Sequence, residues 1–309
     1  MVLEAIYAAK RLRDRTWHAF LLGMMYTLLG VVIAFVVLPG YLGLASVAFA
    51  SILILPSLSN IVQLEEDIER KSKNFDIRMV IKDNYKPIRI FINLFLGSFF
   101  AYLICSLAMP GQFNLQFFGP HLGGAGGAVS SSGLFSEILG NNAIVFVLCF
   151  ALSFLIGSGA LFFILWNASV WGVFFGNTAV AAGAAGNQSP ILYIAIILAV
   201  VMLFVVLEAL AYVVASLAGS VLSKSALIEM GRKVSAFSKY PGVIGVLMPE
   251  QVHALVQEKW YAEAFSRVVF VNLALLCLGL LLLAAAAAIE TAILQNAAIY
   301  QDILRLGML

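Results

Sequence analysis

Charge is what this sequence has least of. Only 11% of its 309 residues are Asp, Glu, Lys or Arg and 62% are hydrophobic, whereas an ordinary soluble domain is about a quarter charged and about half apolar. Between Arg89 and Lys224 there is no Lys or Arg at all, which excludes a water-exposed surface over that stretch. The net charge of +2 is too small for a polyanion-binding face, so nucleic acid is excluded as a partner. The three cysteines, Cys105, Cys149 and Cys277, lie far apart in separate apolar runs. They have no metal-ligand spacing and no disulfide framework, and packing is their expected role. His18, His121 and His253 are equally scattered, so no metal site and no cofactor is expected. A Gly-x-Ser-x-Gly elbow, a His-x-x-x-Asp spacing and paired intramembrane acids are also missing, and the chain is not expected to be an enzyme.

What the sequence does have is long apolar runs. A bilayer core of about 30 Å takes about 20 helical residues, and in lipid only helices or closed barrels satisfy their own backbone groups. These runs are long and do not alternate, so they predict helices. Spans are expected at about 19–38, 42–63, 88–108, 143–162, 164–184, 191–222 and 266–288. The fold class is therefore all-α, a polytopic transmembrane bundle of about seven spans (six to eight) with cytoplasmic amphipathic helices. Pro39-Gly40 turns the first two spans into a hairpin. The first apolar stretch, Ala19 to Val37, follows Lys10, Arg11, Arg13 and Arg15. It exceeds a cleavable signal core of roughly 7–15 residues and is expected to be an anchor. The turn within 143–184 falls at Gly157-Ser158-Gly159 or at Trp166-Asn167, and a re-entrant hairpin there would change the span count.

The few basic residues set the orientation, because cytoplasmic loops are enriched in Lys and Arg. Four precede the first span, seven lie between 70 and 89, and six lie between 224 and 267, whereas the loop 109–142 has none and the C-terminal tail has Arg305 alone. The expected protein is a multi-pass cell-membrane protein with its N-terminus in the cytoplasm and its C-terminus outside. The inner segment 64–87 sets Glu66 against Arg70 and Glu69 against Lys73, pairs that suit a solvated helix. In the inner segment 224–265, Leu227, Met230, Val234 and Phe237 alternate with Arg232 and Lys233, the pattern of an amphipathic helix at the membrane surface. The outer loop contains Gly123-Gly124-Ala125-Gly126-Gly127. With no Lys-Ser/Thr behind it, this is a flexible or lid-like linker and not a phosphate loop.

Polar residues inside apolar runs are the candidates for function. Glu208 is the one carboxylate in the middle of the run 191–222. At a helix centre an acidic residue costs about 2.5–3.5 kcal/mol on insertion scales, so it should face the protein interior. It serves either to fix helix register or to handle a proton or ion. Tyr212 and Ser216 follow it at i+4 steps as a polar track, and Ala211, Ala215 and Gly219 form a small-residue seam beside it. Gly172 and Gly176 give a second close-packing spacing. Asn141 and Asn142 stand where the fourth span is expected to open, with helix capping as the simplest role. Asn167 needs a partner within the membrane, and Glu208 is in reach only if the fifth and sixth spans pack together.

The stretches Ile138-Leu139-Gly140-Asn141-Asn142, Phe154-Leu155-Ile156-Gly157, Leu165-Trp166-Asn167 and Leu207-Glu208-Ala209-Leu210-Ala211, with Ala218-Gly219 beyond, resemble the stage II sporulation protein M family. In that family an Asn-Asn pair begins a span, an Asn-Gly pair follows and a His-Gly-x-x-Glu motif opens the last core helix. Here Phe204-Val205 stands in place of His-Gly, and Ala168 in place of the glycine. Asn141, Asn142, Asn167 and Glu208 are the positions that match. The resemblance divides a single membrane domain, 1–309, into a three-span extension (1–136), a family-like core (137–222) and an amphipathic segment plus last span (223–309). It implies a non-enzymatic membrane scaffold or complex subunit whose partners are membrane lipid and other membrane or cytoplasmic proteins, further copies of the chain included. The alternative, from the residues alone, is a transporter or permease subunit with a polar midplane site around Glu208, for which helices broken near Gly157 and Pro190 would be suited.

Overall fold

A computed structural model describes residues 15–69, 77–109, 133–156, 158–237 and 260–296. Among them the regular structure is helical throughout, with no strand. Seven long helices run in chain order: α1 His18–Val37, α2 Leu42–Glu69, α3 Ile77–Ala108, α4 Leu134–Ile156, α5 Leu161–Gly186, α6 Pro190–Phe237 and α7 Trp260–Gln295. Each contains a stretch long and apolar enough to cross a membrane, as a multi-pass membrane protein requires.

The turns fall where backbone chemistry favours them. The amide of Leu38 donates to the Ala34 carbonyl at 2.8 Å and ends α1. A 3-10 turn at Pro39–Tyr41 then leads into α2, with proline at its first position, where a fixed φ and a missing N–H cost least. At the end of α5, Asn187 takes the left-handed conformation (φ 52°), which asparagine tolerates better than most residues. The amides of Asn187 and Gln188 both return to the Gly183 carbonyl, and Pro190 opens α6. Between α4 and α5 the turn is a 3-10 element at Ser158–Ala160. This selects the first of the two expected positions and makes 143–184 parts of two separate helices, with no re-entrant hairpin.

Two groups of helices pack side by side. Helices α1, α2, α3 and α5 form one; α4, α6 and α7 form the other, joined to it through α5 and α3 against α6. The division drawn from sequence at residue 136 is therefore crossed by contacts, because α5 lies on α3 and α2 while α4 lies on α6 and α7. Helix α3 is central, with 67% of its apolar stretch buried, and α4 is peripheral, with 17%. In lipid there is little hydrophobic drive between helices, so small residues at the crossings supply close van der Waals contact. Gly23 of α1 faces the Leu94 backbone of α3, Gly97 of α3 faces Phe20 and Met24 of α1, and Gly30 faces Ser46 and Ala50 of α2. Hydroxyl pairs tie the same helices: Thr27 Oγ1 donates to Ser98 Oγ at 2.8 Å, and Ser46 Oγ meets the Tyr102 hydroxyl at 3.1 Å.

Several expectations change. The fourth span begins at Leu134, not near 143: the helix runs through the polar residues that a hydropathy reading rejects, since a helix satisfies its own backbone whatever its side chains. The helical run is interrupted at both places expected, α4 ending at Ile156 before α5 begins at Leu161, and α5 ending at Gly186 before α6 begins at Pro190, and each interruption separates two long helices. Residues 224–237 continue α6 without interruption, so the first third of the amphipathic segment is an extension of a spanning helix. The side-chain pairs Glu66–Arg70 and Glu69–Lys73, residues 238–259 and the glycine-rich run 123–127 lie outside the described residues and side chains.

Candidate functional site

Helix α6 carries Glu208 into the core, where the residue is 1% exposed. Every oxygen of its carboxyl group is engaged. Asn142 Nδ2 of α4 donates to Oε1 at 2.6 Å, and Trp171 Nε1 of α5 donates to Oε2 at 3.3 Å. Glu290 of α7 lies near enough to act on Glu208 electrostatically. By hydrogen bonds, one side chain of α6 thus ties together three helices, α4, α5 and α6.

The aromatic packing holds the indole where it must be. The Trp171 ring stacks on Phe175 (centroids 5.2 Å apart, 13° between planes) and meets Phe204 edge to face at 5.5 Å. Phe204 lies one turn before Glu208 on α6, so this edge contact sets the distance from the indole N–H to the carboxylate. Phe204 therefore positions a neighbouring donor and is not itself one.

The matched residues separate into those the fold brings together and those it does not. Asn142 is a direct partner of Glu208, well inside α4; it does not cap the helix, whose first residue is eight positions earlier. Asn141 is exposed. Helices α5 and α6 do pack together, yet Asn167 bonds its own helix at the Phe163 carbonyl (2.9 Å), and Trp171, one turn on, is the α5 residue that reaches Glu208. Ser216 is buried and donates to the Tyr212 carbonyl at 2.7 Å. Tyr212 is 1% exposed, and its hydroxyl has no hydrogen-bond partner.

The small-residue positions form two different seams. Gly219 admits the α4 backbone at Phe150 and Phe154, and Ala211 and Ala215 are fully buried on the same helix. Gly172 and Gly176 admit α3, at Phe99 and Tyr102 and at Ser106 respectively. Ser106 Oγ donates to Asn177 Oδ1 at 2.8 Å beside the second seam.

Glu290 is a further carboxyl within the candidate spans. It follows Ala284–Ala288 and Ile289 and reads from sequence as lying beyond a span ending at 288, but α7 continues to Gln295. Its one legible signal is position: an acid one turn short of a helix end, after an uninterrupted apolar run. Among the described residues no group of three or more His, Cys, Asp or Glu is arranged to hold a metal ion. No protein-family model, curated protein or solved structure matches this chain.

Proposed function

We propose that this chain is a non-enzymatic membrane scaffold or complex subunit, of the kind that its resemblance to the stage II sporulation protein M family implies, oriented with its N-terminus in the cytoplasm. The observation that carries this reading is the Glu208 junction. The core carboxylate is packed, and both its oxygens serve to hold α4 and α5 against α6. A polar centre used in this way fixes helix register. It also steadies α4, the helix that the rest of the bundle covers least and so the one with most surface for lipid or a neighbouring subunit.

The test is cross-linking and capture of the tagged full-length chain from its native membrane. A defined set of membrane or cytoplasmic proteins in fixed ratio is expected, and Glu208→Gln should retain it. Recovery of the chain alone would count against the reading. Orientation is tested separately by reporter fusion: a C-terminal alkaline phosphatase should be active and a C-terminal fluorescent protein dark, and the opposite result would reverse the topology.

A transporter subunit is the second reading, favoured by the carboxyl pair Glu208–Glu290 within the spanning region. Under it Glu208→Gln abolishes flux while leaving the bundle folded.

A further inference from the structure

We propose that α4 pairs with the α4 of a second copy of this chain, through a seam of Asn141, Ile144, Leu148, Ala151 and Leu155. These residues recur at alternating steps of three and four, the spacing by which one helical stripe faces a parallel neighbour at a crossing of about 20°. The stripe lies opposite Phe146, Cys149 and Ser153, the residues that α4 buries against the rest of the bundle. Four of its five members are exposed, and Ala151 is half-buried.

Ile144, Leu148 and Leu155 are at home in lipid, and Asn141 is not. Its side chain is exposed and takes part in no hydrogen bond among the described residues. It stands seven residues along from the start of α4 at Leu134, about 10 Å of helix, so its short amide is out of reach of water at the membrane surface. Its neighbour Asn142 bonds Glu208, and α6 is uncharged on both sides of Glu208 from Pro190 to Ser223, which sets both asparagines well inside the span. An amide facing hydrocarbon leaves its donors and its carbonyl unpaired, and polar groups so placed draw helices together by bonding across them.

The chemistry of the stripe selects a second copy as its occupant. An amide both donates and accepts, so Asn141 is complementary to another Asn141. Copies inserted in one membrane share an orientation, and a twofold axis along the membrane normal sets each residue of the stripe level with itself. From residue 138 to residue 156 α4 carries no charge, so the stripe calls for no partner of opposite charge. A single asparagine in an otherwise apolar seam also fixes register. Glu137 lies one turn before Asn141; two such carboxylates repel, so the contact runs inward from Asn141.

The pairing rests on the scaffold reading, for which it names one partner. Capture of other proteins from the native membrane tests that reading, whereas self-association is measured on the purified chain, so each can fail alone. Full-length chain carrying a donor or an acceptor fluorophore on a C-terminal tag is mixed in phosphatidylcholine liposomes over a range of protein-to-lipid ratios. Energy transfer should exceed the random-proximity level and fall when unlabelled chain competes. Asn141→Leu should need a ratio about 3- to 30-fold higher for the same transfer, the range for one interhelical hydrogen-bonded contact in a membrane, and Asn141→Gln less than about threefold. Asn141→Leu removes no hydrogen bond within the chain, so it tests the pairing without unfolding the bundle. In a Cys277→Ser background, which removes the exposed native thiol, Ile144→Cys should form a disulfide-linked pair on oxidation with copper phenanthroline, and Leu281→Cys, exposed on α7, should not. Transfer at the random-proximity level overturns the proposal, as does an unchanged ratio in Asn141→Leu. Cross-linking through Leu281→Cys in preference to Ile144→Cys also overturns it, since the chain would then pair through another face.

Discussion

Replacing Glu208 by alanine is expected to destabilise the bundle by about 2–4 kcal/mol, since each buried donor left unpaired costs about 1–3 kcal/mol and hydrogen bonds within membranes fall at the low end of their range. The amide of Asn142 and the indole of Trp171 both lose their acceptor. The measurement is reversible unfolding in mixed micelles, followed by helical circular dichroism. Glu208→Gln should lose about half as much, because its carbonyl still accepts one of the two N–H groups. Among the partners, Asn142→Ala should cost more than Trp171→Phe. The first removes a 2.6 Å bond; the second removes a 3.3 Å bond and keeps a ring for the contacts with Phe175 and Phe204. Thr178→Ala is the control, since that exposed hydroxyl only returns to its own helix. If Glu208→Ala resembles the control, the junction does not hold the helices together.

The same alanine substitution at two glycines should change stability in opposite directions. At Gly97 a Cβ would fall on the Phe20 carbonyl and within 2.9 Å of the Met24 nitrogen. Those are backbone atoms of α1, which cannot rotate away, so α1 and α3 must separate. Gly97→Ala is expected to cost about 1–3 kcal/mol, the usual range for overpacking, and Gly97→Leu more. At Gly140 a Cβ meets nothing within 4 Å. There only the helical preference of alanine over glycine acts, and Gly140→Ala should stabilise by about 0.5–1 kcal/mol. Thermal unfolding of the two variants side by side tests this. Equal effects of one sign would mean that the α1–α3 crossing is looser than the structure shows.

The difference between those glycines is invisible in the chain itself. Gly97 sits in an apolar run and Gly140 beside Asn141-Asn142, but only the neighbouring helix shows what a Cβ would meet at each. The same limit applies to the candidate site. Glu208 stood out as a carboxylate amid apolar residues because insertion energetics act on one helix at a time. Its neighbours do not stand out in that way: local pattern suggests a cap at Asn142, points to Asn167 before Trp171, and ends the last span before Glu290. Each depends on which faces of α4, α5 and α7 turn toward α6, and helical periodicity does not report that when nearly every face is apolar.

What the sequence determined by itself follows from the solvent. Lipid rewards long uncharged runs and forbids unsatisfied backbone, so the helical class, seven spanning lengths and the Pro39-Gly40 hairpin are written in local composition. The tertiary structure alone decided that α5 packs with α1–α3, that α4 starts at Leu134, and that Glu208 meets Asn142 and Trp171. The first of these two side-chain contacts joins positions 66 residues apart, and such contacts arise from close packing at small residues and the pairing of a few polar groups, interactions that exist only once the helices are side by side.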